Sequence, residues 1–152
     1  MKCRCLLLCG LLFFALNSCK KEGPAQTPTT GSLLLGKWQL SKSVSQLISS
    51  SNQLLDSTTS TSFTADDFVE YDNNGSGYYS ESTPAGVSVS KFTYTLSGSV
   101  ITEFYSAENK GVPESITGIS ASGLAIHAVV SVPDPNDPYV TDTEIDDYTY
   151  SR

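Results

Sequence analysis

After residue 19 the chain contains no cysteine, because all four lie at Cys3, Cys5, Cys9 and Cys19. A domain built from the remainder has no disulfide, no thiolate metal ligand and no cysteine nucleophile. Histidine is nearly as scarce, with His127 alone, so a zinc ion would depend mainly on carboxylates, which zinc sites seldom do. Basic residues are few: nine Lys and Arg stand against sixteen Asp and Glu, for a formal net charge of −7. Lys2 and Arg4 precede residue 19, so the rest of the chain is more acidic still. That balance argues against nucleic acid as a partner, since phosphates call for a basic footprint. Long apolar runs are also lacking. The stretch Leu6 to Leu16 is about half of the roughly 20 residues that span a bilayer as a helix.

The N-terminus has the three parts of a secretory signal: Lys2 and Arg4, the apolar run, and small Ser18 before Cys19. Leu16-Asn17-Ser18-Cys19 resembles the bacterial lipobox. The resemblance implies cleavage before Cys19, a diacylglyceryl group on its sulfur and a further acyl chain, of the palmitate type, on its new amino group. Residues 1–18 are then a signal peptide. One acyl chain anchors only marginally, and three hold durably. The alternative is an ordinary signal peptide followed by a coincidental cysteine. Residues 19–32 carry Gly, Pro, Thr and Gln with little that is apolar, which reads as a tether.

Residues 33–152 are about one domain's worth of chain. Here short β-type runs alternate with turn signals, the pattern of an all-β sandwich or barrel. Strands are expected over Leu33–Lys42, Phe63–Tyr71, Tyr78–Ser82, Val87–Leu96, Ser99–Tyr105, Glu114–Ser120, Leu124–Val132 and Asp142–Ser151. Asp72-Asn73-Asn74-Gly75 and Ser97-Gly98 supply residues that tolerate the positive φ of tight turns. Along Val87–Leu96 the apolar residues change face midway, which suggests a bulge or bend. Between the first two strands, Val44, Leu47, Ile48, Leu54 and Leu55 fit helical spacing. That stretch suits either a short helix or a polar loop. Closing eight antiparallel strands into an up-and-down barrel removes their exposed edges and leaves an interior for side chains or one small ligand.

Gly36-Lys37-Trp38 resembles the Gly-X-Trp signature of lipocalins. In that family the tryptophan plugs one end of the barrel, and an arginine after the last strand lies across it. This domain's single tryptophan and single arginine, Trp38 and Arg152, sit at its two ends. Leu34-Leu35-Gly36-Lys37-Trp38, the Asp72–Gly75 turn and Phe92–Gly98 together resemble the lipocalin-like, calycin-type domains of small Gram-negative lipoproteins. The chain departs from the larger lipocalins in having no Thr-Asp-Tyr loop motif and no family disulfide. The resemblance implies a monomeric barrel, anchored in the cell envelope at the outer membrane on its periplasmic or surface face. It further implies binding of a small hydrophobic or amphipathic molecule.

Signals for chemistry are weak. No Gly-X-Ser-X-Gly elbow accompanies His127. The Asp72–Gly77 turn lacks the terminal bidentate acid of a calcium loop. We therefore expect no catalytic residue, no metal and no cofactor. Aromatic side chains are plentiful, and Phe68, Tyr71, Phe92, Tyr94, Phe104, Tyr105 and Tyr148 are candidates for lining a pocket. The competing reading is a filled barrel that serves as a structural or interaction module of the envelope.

Overall fold

A computed structural model describes residues 27–105, 111–135, 137 and 139–152. One five-residue helix, α1 (Thr30–Leu34), leads into nine strands. These are β1 (Gly36–Ile48), β2 (Leu54–Ser60), β3 (Phe68–Tyr71), β4 (Ser76–Thr83), β5 (Gly86–Ser97), β6 (Val100–Tyr105), β7 (Val112–Ile119), β8 (Gly123–Pro133) and β9 (Thr141–Ser151). Each of β3 to β8 pairs antiparallel with the next, and β9 returns to pair with β1 from Gln39↔Ser151 to Ile48↔Thr143. Eight strands, β1 and β3 to β9, thus close the expected antiparallel up-and-down barrel.

The ninth strand corrects the reading of residues 43–62. No helix lies there; β1 continues to Ile48, and β2 folds back along it from Ser43↔Ser60 to Ile48↔Leu54. The cause is an unpaired edge. β3 is only four residues long and covers β1 only from Gly36 to Gln39, so the rest of that edge would face water with open ladder groups. Dense serine and threonine pair readily as a strand but give a helix little to bury. Asn52, at φ 62°, makes the turn between them. Leu54 and Leu55, which helical spacing would place on a core face, are both more than half exposed.

Three further features differ from expectation. Residues 30–34 are helical where a tether and the start of a strand are expected; Thr29 caps α1 by accepting a hydrogen bond from the Ser32 amide at 3.2 Å. Residues 63–67 form a turn ahead of β3, fastened by Asp67. Its Oδ2 accepts from the Thr64 amide at 2.6 Å, and its Oδ1 from the Ser82 amide at 2.7 Å. In β5 the pairing runs unbroken through Val87–Leu96, so there is no bulge. Val87 and Val89 simply point outward while Phe92, Tyr94 and Leu96 point inward. Register shifts occur instead in β1 at Leu40/Lys42 and Leu47/Ile48, and in β7 at Ile116/Gly118.

The core holds Leu34, Trp38, Leu40, Val69, Tyr71, Phe92, Ile101, Ile116, Leu124, Ile126 and Tyr150. It lies toward the end of the barrel where β1 begins and β9 finishes. Helix α1 and the turns after β3, β5 and β7 gather at that end, and the connections after β4 and β8 lie at the opposite mouth.

Candidate functional site

The closed end is built on Trp38, which is fully buried. Its Nε1 donates to the Leu34 carbonyl oxygen at 2.6 Å, which fixes α1 beneath the ring. The Arg152 guanidinium carbon stands 3.7 Å from the centre of that ring. Arg152 Nη2 also donates to the carbonyl oxygens of Leu33 and Leu34, at 3.1 and 3.5 Å, and to that of Leu35. Gly36 has φ +104°, and a Cβ there would sit 3.4 Å from Arg152 Nη2. Glycine at this position both permits the turn from α1 into β1 and leaves space for the guanidinium. One side chain thereby fastens the last strand to the helix and to the first strand.

Above this plug lies a cavity of about 250 Å³ lined by Val69, Tyr71, Tyr79, Glu103, Tyr105, Glu114, Tyr148 and Tyr150. Strand alternation explains the set. Ile101, Glu103 and Tyr105 share one face of β6, as Glu114 and Ile116 do on β7 and Tyr148 and Tyr150 on β9. Glu103 is only 4% exposed. Its Oε1 accepts from the Tyr71 hydroxyl and its Oε2 from the Tyr105 hydroxyl, both at 2.8 Å. Burial raises the proton affinity of Glu103, and these two hydrogen bonds partly offset the rise. Glu114 accepts no hydrogen bond from any described side chain. Burial first, then the nearby charges of Glu103 and Asp146, push its carboxyl up to about 8. The tyrosine hydroxyls are held in the neutral form, chiefly by burial, with Tyr79 pushed up to about 12.

Among the seven aromatic residues singled out from the sequence, Tyr71, Tyr105 and Tyr148 line this cavity. Phe92 and Tyr94 are inside the barrel but behind the wall, packed edge-on against Tyr71 with ring centres 5.7 and 5.1 Å away. The Tyr94 hydroxyl is committed to the Asp72 carbonyl oxygen at 2.8 Å. Phe68 and Phe104 do not reach the interior. Phe68 lies on the outer face under Lys37, whose Nζ is 3.5 Å from the ring centre, and Phe104 is 40% exposed. The period of two keeps the seven from sharing one face: Phe104 adjoins Tyr105, and Phe68 is three positions from Tyr71, so each must face away from its partner. Val69, Tyr79, Tyr150 and both glutamates were missed, although the same alternation marks Glu103, which lies between inward Ile101 and Tyr105.

His127 stands on the outer face, its Nδ1 2.8 Å from Asp147 Oδ1. Ser115 is its cross-strand neighbour on the other side, so the three residues form a row across β7, β8 and β9. That row lies on the opposite face of the sheet from the cavity. The Asp72–Gly75 turn spends its oxygens locally: Ser76 Oγ donates to Asp72 Oδ2 at 3.1 Å and to Asn74 Oδ1 at 2.6 Å. No group of three or more His, Cys, Asp or Glu placed to hold a metal occurs among the described residues. No helix among them is long and apolar enough to cross a membrane. Cys19 and the proposed signal peptide lie outside the described residues.

No protein-family model matches the chain, and no curated protein matches it.

Proposed function

We propose that this chain is a lipid-anchored envelope protein with a lipocalin-like barrel that binds a small amphipathic molecule and catalyses no reaction. The observation that carries the reading is the cavity of about 250 Å³ above the Trp38 plug, walled by tyrosine rings and two carboxylates. At about 30 Å³ for each water in the liquid, that volume is worth roughly eight waters. It therefore suits a small molecule better than a long acyl chain. The lipobox-like Leu16–Cys19 segment supports the anchor, and the plug geometry of Gly36, Trp38 and Arg152 supports the lipocalin resemblance. Fold alone does not fix function, so the cavity chemistry bears the weight.

The anchor is tested by feeding labelled palmitate to cells that express the chain. Label should enter the wild type and be lost in Cys19→Ala. Binding is tested by native mass spectrometry of protein purified from its own host. A small non-covalent mass should accompany the chain, and its repeated absence would count against the reading. The second reading, an interaction module, is favoured by Val87 and Val89, which are 54% and 58% exposed on one face of β5. Changing both to threonine should leave small-molecule binding intact, whereas an interaction module would lose its envelope partner.

A further inference from the structure

The cavity wall carries polar groups of one electrical character. Glu103 and Glu114 are carboxylates, and the remaining polar atoms are tyrosine hydroxyls, two of which already donate to Glu103. No described cation answers them. Lys37, Lys42 and Lys91 are exposed, Arg152 is bound to the plug, and His127 stands beside Asp147 on the outer face. Carboxylates withdrawn from water without a positive partner are costly, and structures normally pair them. Tyrosine ring faces also attract cations, most strongly where water is excluded. An anionic amphiphile would meet carboxyl and hydroxyl oxygens there and no cation among the described residues.

Resting on the reading of the barrel as a binding module, we propose that its ligand is a small organic cation. A protonated amine with a short apolar or aromatic body would set its charge against Glu114 and Glu103 and its body among the tyrosine rings. Tyr71 and Tyr105 hold Glu103 in place, and Glu114 is the carboxylate left open to the ligand. Other titratable groups around the site are Tyr71 on β3, Tyr79 and Glu81 on β4, Tyr105 on β6, and Glu144, Asp146, Tyr148 and Tyr150 on β9. Tyr94 on β5 lies behind the wall, while β1 and β8 turn Lys37, Lys42 and His127 outward. Because Glu114 holds a proton in the empty cavity near neutral pH, the arriving cation displaces that proton to solvent. Binding therefore tightens as pH rises toward 8.

The test is calorimetric titration of the full lipoprotein in a neutral sugar detergent with three probes of one shape: phenethylamine, 2-phenylethanol and phenylacetate. At pH 8 the amine should bind at least tenfold more tightly than the alcohol, and phenylacetate should not bind. At pH 7, titrations in buffers of different ionisation enthalpy should show proton release with the amine. Glu114→Gln should weaken the amine at least tenfold, abolish that release and change the affinity for the alcohol far less than that for the amine. Equal or tighter binding of the alcohol or of phenylacetate overturns the cation assignment while sparing the binding barrel. Failure of all three probes overturns both.

Discussion

Removing the Arg152 side chain is the sharpest test of how this barrel is closed. In Arg152→Ala the chain loses the guanidinium 3.7 Å from the Trp38 ring centre, and with it the donor to the carbonyl oxygens of Leu33, Leu34 and Leu35. A cation over an indole contributes about 0.5–2 kcal/mol, and hydrogen bonds from a charged donor about 1.5–3 kcal/mol. The two effects share one side chain and do not add. Arg152 is also exposed on its outer side, so the low end of each range applies, for a net loss of about 2 kcal/mol at most. For a domain of this size that lowers Tm by roughly 6–12 °C. Arg152→Lys should recover little of it, since an ammonium cannot reach three carbonyls and stack at once. Urea unfolding followed by circular dichroism gives the stability. Emission from Trp38, the only tryptophan, should shift to the red as water reaches the indole. A variant within about 0.5 kcal/mol of wild type, with unchanged emission, would refute the fastening role.

Gly77→Ala should be more damaging than its size suggests. A Cβ there would lie 2.5 Å from both Phe92 Cε2 and the Glu70 carbonyl oxygen, and the backbone atom cannot swing away. A loss of about 1–3 kcal/mol, read by thermal melting, is expected. Glu114 predicts a pH dependence of stability. An acid whose folded pKa is raised binds its proton more tightly in the native state, so stability falls as pH rises from the ordinary glutamate value of 4.5 toward about 8. Glu114→Gln should therefore be more stable than wild type at pH 8, and the difference should shrink toward pH 5. A constant difference across that range would count against the buried carboxyl.

The architecture was legible because β-branched and aromatic residues alternate between turns whose chemistry is explicit, as at Asp72–Gly75 and Ser97-Gly98. Trp38 and Arg152 could be paired through a family resemblance, and the geometry of the plug places them together. Helix α1 was not legible, since Thr-Gly-Ser-Leu-Leu has poor helix formers at three of five positions. It holds because Leu34 is buried and its carbonyl oxygen accepts from Trp38. Strand β2 was obscured by an apolar spacing that fits a helix locally, whereas the need to pair the free edge of β1 exists only in three dimensions. Within the site, the aromatic residues were weighed by type, which brought in outward Phe68 and Phe104. The glutamates enter the sequence reading only through net charge, which leaves out Glu103 and Glu114. Strict alternation along β6 and β7 would have corrected Phe104 and recovered both glutamates.

The central claim is that the tyrosine-walled interior is where a small molecule binds. It is tested most directly by labelling the tyrosine side chains with ¹³C and recording their NMR signals as phenethylamine is added. Signals from Tyr71, Tyr105, Tyr148 and Tyr150 should move together with one binding curve, while outward Tyr78 and exposed Tyr139 stay fixed. Movement confined to Tyr78 or Tyr139, or no movement at saturating probe, would contradict it.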